Sequence, residues 1–176
     1  MRVKAPRAVN QAPAVQLIVD EPKWRKDAPA LRLIRRAARL ALAWPGHADP
    51  GKGHGVAAAT ILLADDDRLR ELSRDFRGRN KPTNVLSFPA QGPGAHVGDI
   101  AIAYGVTRSE ARAQGKSFAA HAAHLAVHGV LHLLGYDHQQ KKAAAAMELI
   151  EISVLSKVGI GDPYAPRPYT RTGKAA

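Results

Sequence analysis

The sequence has no cysteine among its 176 residues. That absence excludes a disulfide-stapled scaffold, an iron–sulfur protein, a thiol enzyme and a cysteine-ligated zinc finger. Any metal must therefore be held by histidine, carboxylate or backbone oxygen. Aromatic residues are scarce, at 5%, so aromatic packing does not dominate the core. No run approaches the roughly 18 uninterrupted apolar residues that cross a bilayer. Met1 to Ala14 is basic but lacks the apolar stretch of a secretory signal. The expectation is a soluble, cytoplasmic protein with no membrane partner. Acidic residues are also few: 15 Asp and Glu stand against 26 Lys and Arg, for a net charge of +11. Such a balance points to an acidic partner, nucleic acid above all.

What is present suits a single small domain. Hydrophobic residues make up 45% of the chain and 33 of its residues are alanine, which predicts a helix-rich, closely packed core. Apolar runs at 15–19, 56–63, 84–88 and 97–104 read as strands. Helical periodicity covers 28–43, 66–76, 107–113, 117–134 and 140–158, with Asp65–Asp67, Thr107 and Ser117 as caps. The fold class is α/β (α+β), with about four strands in a mixed sheet and about five helices. Residues 1–14 read as a flexible basic lead-in, 15–158 as the domain, and 159–176 as a flexible tail.

The positive charge is uneven. Residues 1–52 carry 11 basic and 4 acidic groups, whereas 88–138 balance at 3 and 3. Arg32, Arg35, Arg36 and Arg39 share one helical face opposite Leu31, Ile34, Ala38 and Leu42. That row reads either as an ordinary solvated face or as a grip on RNA phosphates.

Five of the eight histidines fall between His121 and His138. His124, His128 and His132 recur every fourth residue, one row on a helix. His128 and His132 are then in reach of one ion, and a turn at Gly135 brings His138 toward it. Three imidazoles with an open fourth position describe a catalytic rather than a structural zinc site. His124, one turn earlier, reads as a supporting partner behind the ligand histidines, as substrate-facing or as merely packed, the packed reading favoured, and His121, out of the row, as a surface residue. The spacing matches the metzincin protease pattern HExxHxxGxxH, except that Gly129 stands where the general-base glutamate belongs. The motif supplies a metal and withholds the base of a peptidase.

The run HGVLHLLGYDH, His128 to His138, resembles the signature of the bacterial YbeY endoribonucleases, the rRNA maturation factors. Phe76, Arg77, Lys81, Pro82, Thr83 and the block Asn84–Val85–Leu86–Ser87–Phe88–Pro89 resemble the family's second block, and Gly98–Asp99–Ile100 its third. Asn84 stands where aspartate is common. The resemblance spans roughly 15–158. It implies a single-strand-specific, metal-dependent endoribonuclease that matures the 3′ end of 16S rRNA and serves ribosome quality control. Its partners would be the ribosome, single-stranded RNA and ribosomal proteins. By position, His128, His132 and His138 would bind one zinc and Arg77 would be the important arginine beside it.

Residue chemistry agrees with that implication. A histidine-bound zinc activates water and polarises a phosphoryl oxygen, and a guanidinium neutralises phosphate charge. On local sequence alone Arg77 is a helix-end surface arginine; the resemblance reverses that order. Asp99 reads equally as a partner that orients a ligand histidine and as a turn cap. Ser87 reads as a strand serine before a substrate contact. Imidazoles also accept nickel, copper or iron. Two other functions fit the same residues: a zinc hydrolase acting on peptides or small amides, and a non-catalytic ribosome-associated factor with a structural metal.

Overall fold

A computed structural model describes residues 12–45, 57–78, 81–92, 94–137 and 140–165. The expected lead-in, up to residue 11, lies outside the described residues. Strand β1 (Ala14–Val19) leads through a short 3₁₀ turn (Pro22–Lys26) into α1 (Ala28–Leu42). Strand β2 (Ala58–Ala64) and α2 (Asp66–Arg77) follow, then β3 (Val85–Pro89) and β4 (His96–Ala103). The chain continues with α3 (Tyr104–Ala113), α4 (Phe118–Leu133) and α5 (Lys141–Ser156).

The sheet order is β1-β2-β4-β3, with β1, β2 and β4 parallel and β3 antiparallel on the edge. Pro89, which cannot donate to a ladder, ends that edge strand. The mixed sheet and five helices match the expected class. β4 lies between two strands and is covered on both faces, so Ile100, Ala101, Ile102 and Ala103 are all buried.

Helices α1, α4 and α5 cover one face of the sheet, packing with Ile61, Leu63, Ile100 and Ile102. The smaller cluster on Leu69, Leu86, Ala101 and Ala103 holds α2 against the other face. Alanine sets the spacing of the main core: Ala37, Ala38 and Ala41 of α1 and Ala122, Ala123 and Ala126 of α4 are fully buried. These small side chains let α4 run as a central helix, buried nearly all round, which is why it carries little amphipathic signature.

Asp65 and Ser117 cap α2 and α4 as expected, accepting from Arg68 N at 2.8 Å and Ala120 N at 3.1 Å. Thr107 does not cap α3. That helix begins three residues earlier, and Asp66 Oδ1 accepts from Gly105 N at 2.8 Å and Val106 N at 3.0 Å. A carboxylate from α2 thus supplies the cap, and Thr107 lies buried within the first turn. The expected flexible tail is also corrected in its first part. Ile160 N donates to Leu155 O at 3.0 Å, Lys116 Nζ to Pro163 O at 2.7 Å, and the Tyr164 hydroxyl to Glu151. These bonds tie the segment 159–165 to α5 and to the turn before α4.

Candidate metal centre and substrate cleft

Helix α4 brings the histidine row together as its spacing requires. It closes at Gly135, whose φ of 89° is the left-handed value glycine adopts freely, and Tyr136 N returns to Leu131 O at 3.0 Å. His128 Nε2 and His132 Nε2 face one another at 3.1 Å. Their other ring nitrogens meet acceptors: His128 Nδ1 lies 2.8 Å from Glu151 Oε1, and His132 Nδ1 lies 3.0 Å from the Tyr136 carbonyl. Because a carbonyl only accepts, and a carboxylate held ionised only accepts, both Nδ1 atoms carry the proton. Both Nε2 lone pairs are then directed to the same place.

That arrangement fits a metal ion. Two imidazole nitrogens on one zinc, each at about 2.0–2.1 Å and near the tetrahedral angle, stand about 3.3 Å apart. Two lone pairs converging at 3.1 Å repel unless a cation or a proton lies between them. His138 lies outside the described residues, and among the described residues no three His, Asp or Glu side chains are grouped to hold an ion.

Glu151 anchors the row and is the residue that sequence reasoning missed. Its side chain is fully buried on α5, and it accepts from His124 Nε2 at 2.9 Å, from His128 Nδ1 and from the Tyr164 hydroxyl. Burial alone would raise its pKa, but the bonds from His124, His128 and Tyr164 outweigh it and hold the carboxyl at about 2. A buried carboxylate behind a histidine fixes which nitrogen bears the proton and where the ring points. Tyr164, whose hydroxyl is held beside this anion, is pushed well above the usual phenol range by desolvation of that hydroxyl and by Glu151 itself. A signal did exist in the sequence: Glu151 interrupts the apolar row Met147–Glu151–Leu155, where a lone charge is unexpected.

The other candidates fall elsewhere. His124 joins the network through Glu151 and approaches the Tyr164 hydroxyl at 3.3 Å. His121 is buried, not on the surface; its Nε2 meets Glu110 Oε2 at 2.8 Å, and desolvation lowers its pKa despite that carboxylate. Asp99 pairs with His96 at 3.0 Å and lines an apolar cavity of about 310 Å³ with Leu72, Phe76 and Phe88. It therefore orients none of the histidines of α4. Ser87 Oγ donates to Gly129 O at 3.3 Å and ties β3 to α4. Arg77 ends α2, and its side chain lies outside the described part. Gly129 has a structural cause: a Cβ there would stand 2.9 Å from Ile100 Cγ2 and 3.0 Å from its Cδ1. A glutamate at this position would collide with β4.

A four-stranded mixed sheet carrying a central histidine helix defines the class of fold. The solution structure of TM1509 from Thermotoga maritima is similar, with a TM-score of 0.50 over 86% of this chain and 99% of that one, at 19% identity. Sequence relatives are nearer. An endoribonuclease YbeY of Alkalilimnicola ehrlichii is 46% identical over 89% of this chain and 95% of its own. One from Rhodopseudomonas palustris is 44% identical over 87% of this chain and 82% of its own. The family model for endoribonuclease YbeY matches residues 48–159. The chain belongs to the endoribonuclease YbeY family.

Proposed function

We propose that this protein is a zinc-dependent endoribonuclease, specific for single strands, that matures the 3′ end of 16S rRNA and takes part in ribosome quality control in the cytoplasm. The observation that carries the reading is the His128–His132 pair, with both Nε2 atoms converging at 3.1 Å and both Nδ1 atoms held by acceptors. Relatives of 44–46% identity named as endoribonucleases support the RNA substrate.

His128, His132 and His138 would hold one zinc ion. When bound, zinc makes a neighbouring water acidic and polarises a phosphoryl oxygen. The protein's residues do the rest. Glu151 keeps His128 in the tautomer and orientation that ligation needs, and the Tyr136 carbonyl does the same for His132. Arg77 would pair with the scissile phosphate and neutralise charge that develops on its oxygens. Gly129 leaves no carboxylate at the protease position, so peptide cleavage of the metzincin kind has no base on this helix.

Elemental analysis of the purified chain and digestion of a 16S rRNA precursor test the proposal together. The expected results are close to one zinc per chain, trimming at the 3′ end by the wild type, and loss of most of that activity in Arg77→Ala with zinc retained. Equal trimming by wild type and Arg77→Ala would remove the arginine from the chemistry, and a zinc-free active enzyme would remove the metal.

A further inference from the structure

A cavity of about 340 Å³ opens beside His128, with Asn84, Glu110, His121, His124 and Tyr164 among its walls. Its volume falls within the roughly 300–1,000 Å³ of small-molecule sites. Glu110 is its fixed acceptor. Asn84 Nδ2 donates to both carboxylate oxygens, at 3.1 and 2.9 Å, and His121 Nε2 to one of them at 2.8 Å. His121 is itself 4% exposed, so it holds Glu110 from a buried position, whereas the Glu110 side chain is 33% exposed. A carboxylate offers about four acceptor sites; these hydrogen bonds use three and leave room for one more donor.

Glu110 gives the wall its acceptor, while Lys116, also in the wall, spends its ammonium on Gln114 Oε1 at 2.6 Å and Pro163 O at 2.7 Å; a phosphate suits the neighbouring His128–His132 pair. The remaining parts of a nucleotide, base and sugar, suit the cavity. Tyr164, 42% exposed as a residue, adds an aromatic ring whose hydroxyl is tied to Glu151 and which stands nearly perpendicular to the His124 ring at 5.4 Å. Such a ring is a stacking platform for a base.

We propose that this cavity seats the nucleoside next to the phosphate that meets His128, and that Glu110 accepts a hydrogen bond from the exocyclic amino group of its base. The inference rests on the endoribonuclease reading and deepens it. Cytosine, adenine and guanine carry such an amino group. Uracil presents a carbonyl oxygen where cytosine presents its amino group, so uracil meets the carboxylate with repulsion.

The test compares cytidine 5′-monophosphate with uridine 5′-monophosphate in NMR titrations of the full chain, which requires no cleavage. Binding should favour the cytidine nucleotide by roughly tenfold, as one good base contact provides, and Glu110→Gln should erase most of that preference. Equal binding by the wild type, or a preference that survives in Glu110→Gln, overturns the proposal. A second arm digests a random single-stranded RNA pool and sequences the cut ends. Depletion of uridine at one position flanking the cut, lost in Glu110→Gln, supports the cavity. Cutting with no base bias overturns it while leaving the endoribonuclease reading intact. An uncut pool overturns the endoribonuclease reading, and the nucleotide titration then decides the cavity by itself.

Discussion

Glu151 shows how much a single buried charge organises. Replacing it with alanine leaves His124, His128 and the Tyr164 hydroxyl without their shared acceptor. Breaking a buried charged network from one side costs about 3–5 kcal/mol, so urea denaturation of Glu151→Ala should show a loss of that order. Zinc affinity should fall about 10- to 100-fold, the usual consequence of removing a ligand's orienting partner. His121 gives a pH dependence of its own. Glu110, His124 and Lys116 face it, and burial keeps its folded pKa below the ordinary 6.5. Its Nδ1 has no partner among the described residues, so a second proton finds no acceptor there. The unfolded chain therefore binds the proton more readily, and this contribution to stability is complete above about 6.5 and declines as pH falls below it. His121→Gln should flatten that decline, measured as denaturation midpoints from neutral to mildly acidic pH. The histidine row was legible because a period of four is a local property. Glu151, Glu110 and Tyr164 were not, because their partners are 11 to 40 residues away.

At the scale of elements, caps and close approaches decide the boundaries. Four strands and five helices were readable from apolar runs and caps near in sequence. The start of α3 was not, because its cap comes from Asp66, 39 residues earlier. Asp66→Ala should cost about 0.5–2 kcal/mol, the range for removal of a helix cap, and chemical denaturation measures it directly. Thr107→Ala removes no cap and should fall well short of that. The packing of α4 on β4 works in the same way. Gly129 was visible as a missing glutamate, but its cause, the approach of Ile100, exists only once the helix lies on the sheet. The first part of the tail, 159–165, was not readable from its proline and charge, because Lys116 and Glu151, which hold Pro163 and Tyr164, are distant in sequence.

Across the whole molecule, charge and chemistry occupy different places. Arg32, Arg35, Arg36 and Arg39 are exposed on α1 and line one groove, while the opposite side of the helix packs Ile34, Ala38 and Leu42 into the core. If that row grips RNA phosphates, affinity falls with salt, by a slope of about 0.7 for each phosphate neutralised on a single strand. Changing Arg32 and Arg39 to glutamine should reduce the slope by about 0.7 for each arginine that neutralises a phosphate. Fluorescence anisotropy across a salt series reads that change, with cleavage at saturating enzyme unaltered. An unchanged slope would leave the row as a solvated face.

The most direct measurement of the central claim is the rate of single-stranded RNA cleavage by zinc-loaded wild type and by His128→Ala, purified in parallel, with zinc content determined on the same samples. His128→Ala should lose both its zinc and nearly all cleavage. Equal rates in the two proteins would contradict the claim.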